Sequence, residues 1–162
     1  MAGINIFDRT MKVIARDHAE TFLKLAFPNE KIRFVGTLEN VELSLPEERV
    51  DFVHELEYND EEYLLHIEFQ LQHKKGFPQK VFIYSAELTD QFSKPVVSLV
   101  IYLKRRKTPI PETCYTVSWG DNVINCFSYP VLKIWDYEKE IRSGKLRELA
   151  PLLSMIVDEP TV

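Results

Sequence analysis

Two adjacent stretches of alternating apolar and polar residues, between positions 49 and 72, constrain the fold more than any other feature. The first stretch alternates Val50, Phe52, Leu56 and Tyr58 with Asp51, Glu55 and Glu57. The second alternates Tyr63, Leu65, Ile67, Phe69 and Leu71 with His66, Glu68, Gln70 and Gln72. A period of two is the side-chain period of a β-strand, so the pattern predicts a β-hairpin with one apolar face and one polar face.

The register of this hairpin decides which polar side chains meet. Pairing Tyr58 with Tyr63 across the polar Asn59-Asp60-Glu61-Glu62 segment puts both apolar sets on one face. Asp51 and Glu68 then become diagonal neighbours on the polar face, with Cβ atoms about 7–8 Å apart. Two carboxylates at this spacing can share a hard cation such as Mg²⁺. The alternative is an ordinary polar face without chemistry, because carboxylates are common on exposed strands.

The same hairpin contains or adjoins three histidines, His54, His66 and His73. In the register above, His54 falls on the apolar side, which predicts a core histidine with satisfied hydrogen bonds. His66 falls on the polar side, where two roles stay open, the support of a metal ligand and contact with a phosphate. His66 and Glu68 also spell the His-x-Glu of zinc deaminases, but no Pro-Cys-x-x-Cys follows, which excludes that class.

The remaining segments predict a single α/β domain over residues 1–162, since 162 residues suit one domain better than two. The expected elements, in chain order, are a helix from Phe7 to Phe27, strands at Ile32–Val35 and Val41–Leu45, the hairpin, a helix opened by Pro78, a buried strand at Val96–Leu103, a hairpin at Tyr115–Val117 and Val123–Phe127, a strand at Val131–Trp135, and a helical tail. The core stripe of the Pro78 helix is Val81, Tyr84, Ser85, Leu88 and Phe92. This α-β-β-β-α-β-β-β-α order predicts a mixed β-sheet flanked by helices.

Charge is distributed unevenly along the chain, whose formal net charge is −5. Residues 39–68 contain eleven acidic residues and one arginine, whereas residues 69–110 contain eight basic residues and two acidic ones. Such a pair of segments suits a cation-dependent site that acts on a polyanion. Two solvated surfaces of unequal composition would give the same counts.

Several common sites and locations are excluded or disfavoured by the sequence. Glycine-rich phosphate loops, nucleophile elbows and His-Glu-x-x-His motifs are missing. No apolar run approaches about 18 residues, so we expect no membrane partner. No secretory signal is visible, and the two cysteines form neither a disulfide framework nor a zinc motif, so the expected compartment is the cytoplasm.

Three ordered segments resemble the Rpn family of recombination-promoting nucleases, also called YhgA-like transposases, within the PD-(D/E)XK nuclease superfamily. They are Val50-Asp51-Phe52, Leu65-His66-Ile67-Glu68-Phe69-Gln70 and Phe77-Pro78-Gln79-Lys80-Val81-Phe82-Ile83-Tyr84. The tail from Gly144 to Leu153 resembles the leucine-proline segment that follows the nuclease core in that family. The resemblance covers residues 20–155 and rests on the ordered set of segments.

The resemblance implies an α/β, restriction-endonuclease-like core and a DNA endonuclease that uses Mg²⁺, with Mn²⁺ as a substitute. Asp51, Glu68 and the backbone carbonyl of Phe69 would hold the metal. Gln70 stands where the superfamily commonly has lysine. Lys80, where the family usually has arginine, would supply a cation near the scissile phosphate.

A second interpretation is a catalytically inactive protein of the same fold that serves as a binding or assembly module. The acidic net charge, the missing motif lysine and an end shortly after the leucine-proline segment favour it, since family members commonly continue further. The sequence leaves open a homodimer, the DNA sequence preference and the biological role.

Overall fold

A computed structural model describes residues 6–42 and 49–156, except for the side chains of Arg49 and Asp51. The elements, in chain order, are α1 (Ile6–Asp17), α2 (Ala19–Ala26), β1 (Ile32–Glu42), β2 (Arg49–Tyr58), β3 (Glu61–Gln70), α3 (Phe77–Phe92), β4 (Val96–Tyr102), β5 (Cys114–Trp119), β6 (Asn122–Ser128), β7 (Val131–Lys133), a 3₁₀ helix (Ile134–Tyr137), α4 (Glu138–Arg142) and a second 3₁₀ helix (Arg147–Met155). None of the helices in this part of the chain is both long and apolar enough to cross a membrane.

The main sheet has five strands in the order β1-β2-β3-β4-β7. Strands β1, β2 and β3 pair antiparallel, whereas β3, β4 and β7 pair parallel. The predicted α/β class with a mixed sheet flanked by helices is therefore confirmed. The predicted second hairpin is also present, but β5 and β6 form a separate two-stranded sheet.

Helices cover both faces of the main sheet. On one face, Leu56 and Leu65 pack with residues of α1, α2, α4 and the second 3₁₀ helix. On the other face, Val53 and Leu64 pack with α3. The polar face of the hairpin is therefore not an ordinary solvent-facing surface around Val53 and Leu64, because α3 covers it there. The predicted stripe of α3 is confirmed, since Val81, Tyr84, Ser85 and Leu88 are buried and Phe92 packs against the same core. The predicted strand at Val96–Leu103 is confirmed as the buried strand β4.

The hairpin between β2 and β3 forms as predicted but with a different register. Tyr58 pairs with Glu61 and not with Tyr63, which pairs with Leu56. The reason is a two-residue turn in which Asn59 and Asp60 both have positive φ, 52° and 61°. Such turns match the twist of paired strands, and asparagine and aspartate tolerate this conformation. The shift is two residues, so every side chain keeps its predicted face.

Local boundaries differ from the predictions in three places. The predicted Phe7–Phe27 helix is broken at His18, whose φ and ψ of −125° and 22° are not helical. Neither proline nor glycine lies at this point, so no sequence signal marks the break. The first two predicted strands are one strand, β1, and positions 43–45 lie outside the described residues. The predicted Val131–Trp135 strand ends at Lys133, where a 3₁₀ helix begins.

The helical tail is mostly a nine-residue 3₁₀ helix whose apolar residues follow its own period. Leu149, Leu152 and Met155 are buried, and Leu146 packs against the same core. A 3₁₀ helix has about three residues per turn, so residues spaced by three lie on one line. These residues therefore pack on the same sheet face that α1 and α2 cover.

His54 is a satisfied core histidine, as predicted. It is 1% exposed, and its Nε2 donates a hydrogen bond to the carbonyl oxygen of Ala15 at 2.9 Å. Because a carbonyl only accepts, Nε2 carries the proton, and in the neutral ring Nδ1 accepts from the Thr37 hydroxyl at 2.6 Å. The ring therefore ties β2 to both α1 and β1.

We expect the protein to lose stability as the pH falls below the usual histidine pKa of 6.5. Burial lowers the pKa of His54, although the hydrogen bond to Ala15 opposes this shift. The unfolded chain therefore takes up a proton at higher pH than the folded one, so stability is complete above pH 6.5 and declines toward the lower, folded pKa. Urea unfolding at about pH 8 and about pH 5.5 would measure the decline, and equal stabilities at the two values would contradict this expectation.

Candidate active site

A cavity of about 160 Å³ lies where β2 and β3 part beneath α1. The antiparallel pairing of β2 with β3 extends to His54↔Leu65. Beyond that pair, β2 stays with β1 as far as Glu42↔Arg49, and β3 stays with β4 as far as Gln70↔Tyr102. The walls of the cavity are Val50, Phe52 and His54 from β2, His66, Ile67, Glu68 and Phe69 from β3, and Asp8, Met11, Lys12 and Ala15 from α1. We call this point of separation between β2 and β3 the fork. Backbone groups of β2 and β3 beyond the fork are not paired with each other, as they would be if the antiparallel pairing continued.

Glu68 is held in this cavity by a buried histidine. His66 is 1% exposed, and its Nε2 donates to Oε1 of Glu68 at 3.0 Å. The hydroxyl of Ser98 lies 3.5 Å from Nδ1, and the ring of Tyr84 packs edge-on against the imidazole, with centroids 5.7 Å apart. The side chain of Glu68 is 25% exposed. Glu68 is thus a carboxylate with one oxygen oriented by the protein and lone pairs left for a cation.

His66 lies on the predicted polar face of the hairpin but is buried there. Its contacts place the histidine between the Glu68 carboxylate and α3, and both predicted roles of His66 stay predictions. We expect this contact to limit the rotamers of Glu68, because the two groups are adjacent on the same side of β3.

Asp51 lies in β2 between Val50 and Phe52, both of which line the cavity. Its side chain is outside the described part of the structure, so the predicted meeting of Asp51 with Glu68 stays a prediction. Pairing Tyr58 with Tyr63 would set Asp51 opposite Gln70, but the observed register is shifted by two residues. The observed pairing of β2 with β3 ends at His54↔Leu65, before it reaches Asp51 or Glu68.

Phe69, Gln70 and Lys80 occupy three different surroundings. Phe69 lines the cavity, and its ring packs edge-on against Phe22. Gln70 ends β3, and its carbonyl oxygen accepts a hydrogen bond from the Leu103 N–H at 2.9 Å. Lys80 is exposed on α3 and does not line the cavity, and its Nζ lies 5.4 Å from the ring centroid of Tyr84, which also packs against His66. Glu68 and Phe69 thus share the cavity, and Lys80 does not.

Two cavity residues were not singled out by the sequence, Asp8 and Lys12 of α1. They form an ion pair of 3.0 Å between Oδ2 and Nζ. Their spacing of four residues is an ordinary helical pair, so the sequence alone gives no reason to place them beside Glu68. Lys12 brings a positive charge to the cavity from α1, a helix that the sequence predicted without placing it beside the hairpin.

Most of the basic residues between positions 69 and 110 follow the carboxyl ends of β3 and β4. The N–H of Lys104 donates to the Leu71 carbonyl at 3.0 Å, which joins the loops that follow the two strands. Lys74, Lys75 and Lys107 are exposed on these loops, whereas Arg105 pairs with Glu138. Glu68 and Gln70 are near the same strand ends, so positive charge lies beyond them.

The oxygen ligands of Glu68 and Asp8 suit a hard divalent cation, which in proteins takes one or two carboxylates and completes its shell with water or phosphate. Among the described residues, no group of three or more His, Cys, Asp or Glu side chains is arranged to hold a metal ion. The donor chemistry therefore fits Mg²⁺ with few protein ligands and does not fit a fully enclosed metal site.

Comparison of the chain with family models, with curated proteins and with solved structures gave no significant match.

Proposed function

We propose that the protein is a magnesium-dependent DNA endonuclease that hydrolyses phosphodiester bonds at the cavity between α1, β2 and β3. The observation that carries the proposal is Glu68, a partly exposed carboxylate in the fork of the sheet that a buried histidine orients. The resemblance to the Rpn nucleases, carried by the segments around Asp51, Glu68 and Lys80, supports the same chemistry. A role in recombination or in mobile elements is part of that resemblance.

In this proposal Glu68, Asp51 and the Phe69 carbonyl would hold the metal ion. Bound Mg²⁺ would make a water more acidic and stabilise the charge that develops on the phosphate. His66 keeps Glu68 oriented toward the cavity, and Gln70 lies at the end of the same strand. The basic loops beyond β3 and β4 would attract the DNA backbone.

Lys12 is a better candidate than Lys80 for the positive charge near the phosphate. Lys12 lines the same cavity as Glu68, and its partner Asp8 holds it there. Lys80 lies on α3, which covers the other face of the sheet from α1. His66 and Glu68 share the α3 face of β3, but Lys80 is not among the residues that line the cavity, whereas Lys12 is.

We expect Lys12→Met to reduce Mg²⁺-dependent plasmid nicking by about ten-fold or more, because a cation that faces the developing charge is removed. Lys80→Met is the matched control and should change nicking by less than about two-fold, since exposed charges away from the site contribute little. Initial nicking rates with equal protein concentrations would measure both effects. A larger loss of nicking for Lys80→Met than for Lys12→Met would indicate that Lys80 supplies the positive charge near the phosphate.

The second candidate function is a binding or assembly module with the same fold. It is favoured by the absence of a three-ligand metal cluster among the described side chains. Nicking of supercoiled plasmid with Mg²⁺, Mn²⁺ or EDTA, by the wild type and by Asp51→Ala, separates the two functions. Metal-dependent nicking that Asp51→Ala loses supports the nuclease. No nicking, together with no heat of Mn²⁺ binding in calorimetry, supports the module.

A further inference from the structure

The N-terminus of α3 holds a carboxylate from a distant loop. The N–H of Gly76 donates to Oε2 of Glu112 at 3.1 Å, and Nε2 of His73 contacts the same oxygen at 3.0 Å. The N-terminal end of a helix carries partial positive charge and attracts anions. The exposed Lys74 and Lys75 precede this helix and add two full charges. Glu112 therefore occupies a position suited to an anion.

Three buried polar atoms near this carboxylate have no hydrogen-bond partner among the described residues. They are the hydroxyls of Tyr102 and Tyr129 and Nδ1 of His73. Tyr102 is 2% exposed and Tyr129 is 8% exposed, and the side chain of His73 is 10% exposed. A buried polar atom without a partner loses the hydrogen bonds that it would make with water, so its persistence calls for a ligand.

The two tyrosines lie beneath the helix end and within reach of the Glu112 charge. The ring of Tyr102 packs edge-on against Phe77, the first residue of α3, with centroids 6.4 Å apart. Both tyrosines belong to one core cluster with Phe77. Burial raises the pKa of Tyr102 and of Tyr129, the charge of Glu112 raises both further, and the charge of Arg106 lowers that of Tyr102. The two tyrosines with unused hydroxyls therefore pack beneath the helix end that holds Glu112.

We propose that this cluster is a binding site for a phosphate group and that Glu112 occupies it until a phosphate displaces the carboxylate. A phosphate carries more acceptor oxygens than a carboxylate, so it can keep the Gly76 and His73 contacts and also accept from the tyrosine hydroxyls. The phosphate is either a free ion or a phosphodiester of bound DNA. The site shares no residue with the cavity wall, so phosphate binding without divalent metal tests it separately from cleavage.

Calorimetric titration of inorganic phosphate in EDTA tests the displacement. Glu112→Gln keeps an acceptor for the Gly76 N–H but removes the competing charge, so we expect phosphate to bind about ten-fold more tightly than to the wild type. The control is Glu57→Gln, which removes one charge from the Arg33 pair near the turn of the β2–β3 hairpin and should leave binding unchanged. If Glu112→Gln, shown to be folded by circular dichroism, binds no phosphate, the proposal is overturned.

The substitution Tyr102→Phe tests whether the Tyr102 hydroxyl binds the phosphate. Loss of an unpartnered buried hydroxyl should raise the melting temperature of the free protein, and in the Glu112→Gln background it should weaken phosphate binding by about five-fold. Unchanged phosphate affinity would overturn the role of the hydroxyl and with it the site.

Repeating the Glu112→Gln measurement with a short DNA duplex in EDTA identifies the source of the phosphate. Duplex binding that is tighter than in the wild type indicates a phosphodiester, and unchanged duplex binding indicates the free ion.

Discussion

Glu68→Gln is expected to reduce Mg²⁺-dependent nicking by about 10²–10³-fold, the usual effect of removing one group that stabilises transition-state charge. Glutamine has nearly the same size as glutamate and keeps an oxygen that accepts from Nε2 of His66. It lacks the negative charge that a divalent cation requires. Because the side chain is partly exposed, the free energy of unfolding should change by less than about 1 kcal/mol.

Glu57→Gln is the matched control for this experiment. Glu57 lies in the same hairpin, near its turn, where it pairs with Arg33 on β1. Removing this charge changes the net charge by the same amount as Glu68→Gln but leaves the cavity intact, so nicking should stay near the wild-type rate. Equal nicking by wild type and Glu68→Gln, at several Mg²⁺ concentrations, would remove Glu68 from the site and the proposed mechanism with it.

The sequence predicted which side of the hairpin each residue occupies, and it did so despite a wrong register. The alternation between Arg49 and Gln72 fixes side-chain parity, and an error of two residues does not change parity. The register itself depends on the backbone of Asn59 and Asp60, whose left-handed conformation makes a shorter turn than the polar run suggested. Periodicity therefore identified strands and faces but not which residues are directly paired.

The surroundings of the site depend on contacts distant in sequence, and these were not predictable. His66 reads as a residue on the polar face of a hairpin, yet α3 packs over it through Tyr84. Lys12 reads as one half of a helical ion pair, yet α1 lies across the fork of the sheet. In both cases the local pattern was correct, and the packing of a helix onto the sheet gave the side chain its neighbours.

His54→Ala is expected to lower the free energy of unfolding by about 3 kcal/mol, from lost packing and from buried polar groups left without partners. The substitution would deprive the Ala15 carbonyl and the Thr37 hydroxyl of their imidazole partner and leave a cavity between β2 and α1. His54 also lines the candidate active site, so a loosened α1 would move Lys12 relative to Glu68. Urea unfolding at a pH above 7 would measure the loss while the histidine is neutral.

His18→Ala is the control that separates this effect from the loss of any histidine. His18 lies at the break between α1 and α2, is only partly buried, and makes no side-chain capping hydrogen bond to α2, so its replacement should change stability by less than about 1 kcal/mol. Thr37→Val provides a second, smaller measure, since it removes only the donor to Nδ1 and should lower stability by about 1–2 kcal/mol. If His54→Ala were no more destabilising than His18→Ala, the imidazole would not join β2 to α1 and β1. The helix above the fork, α1, would then owe its position to the apolar contacts of Ile14 and Met11 with the core.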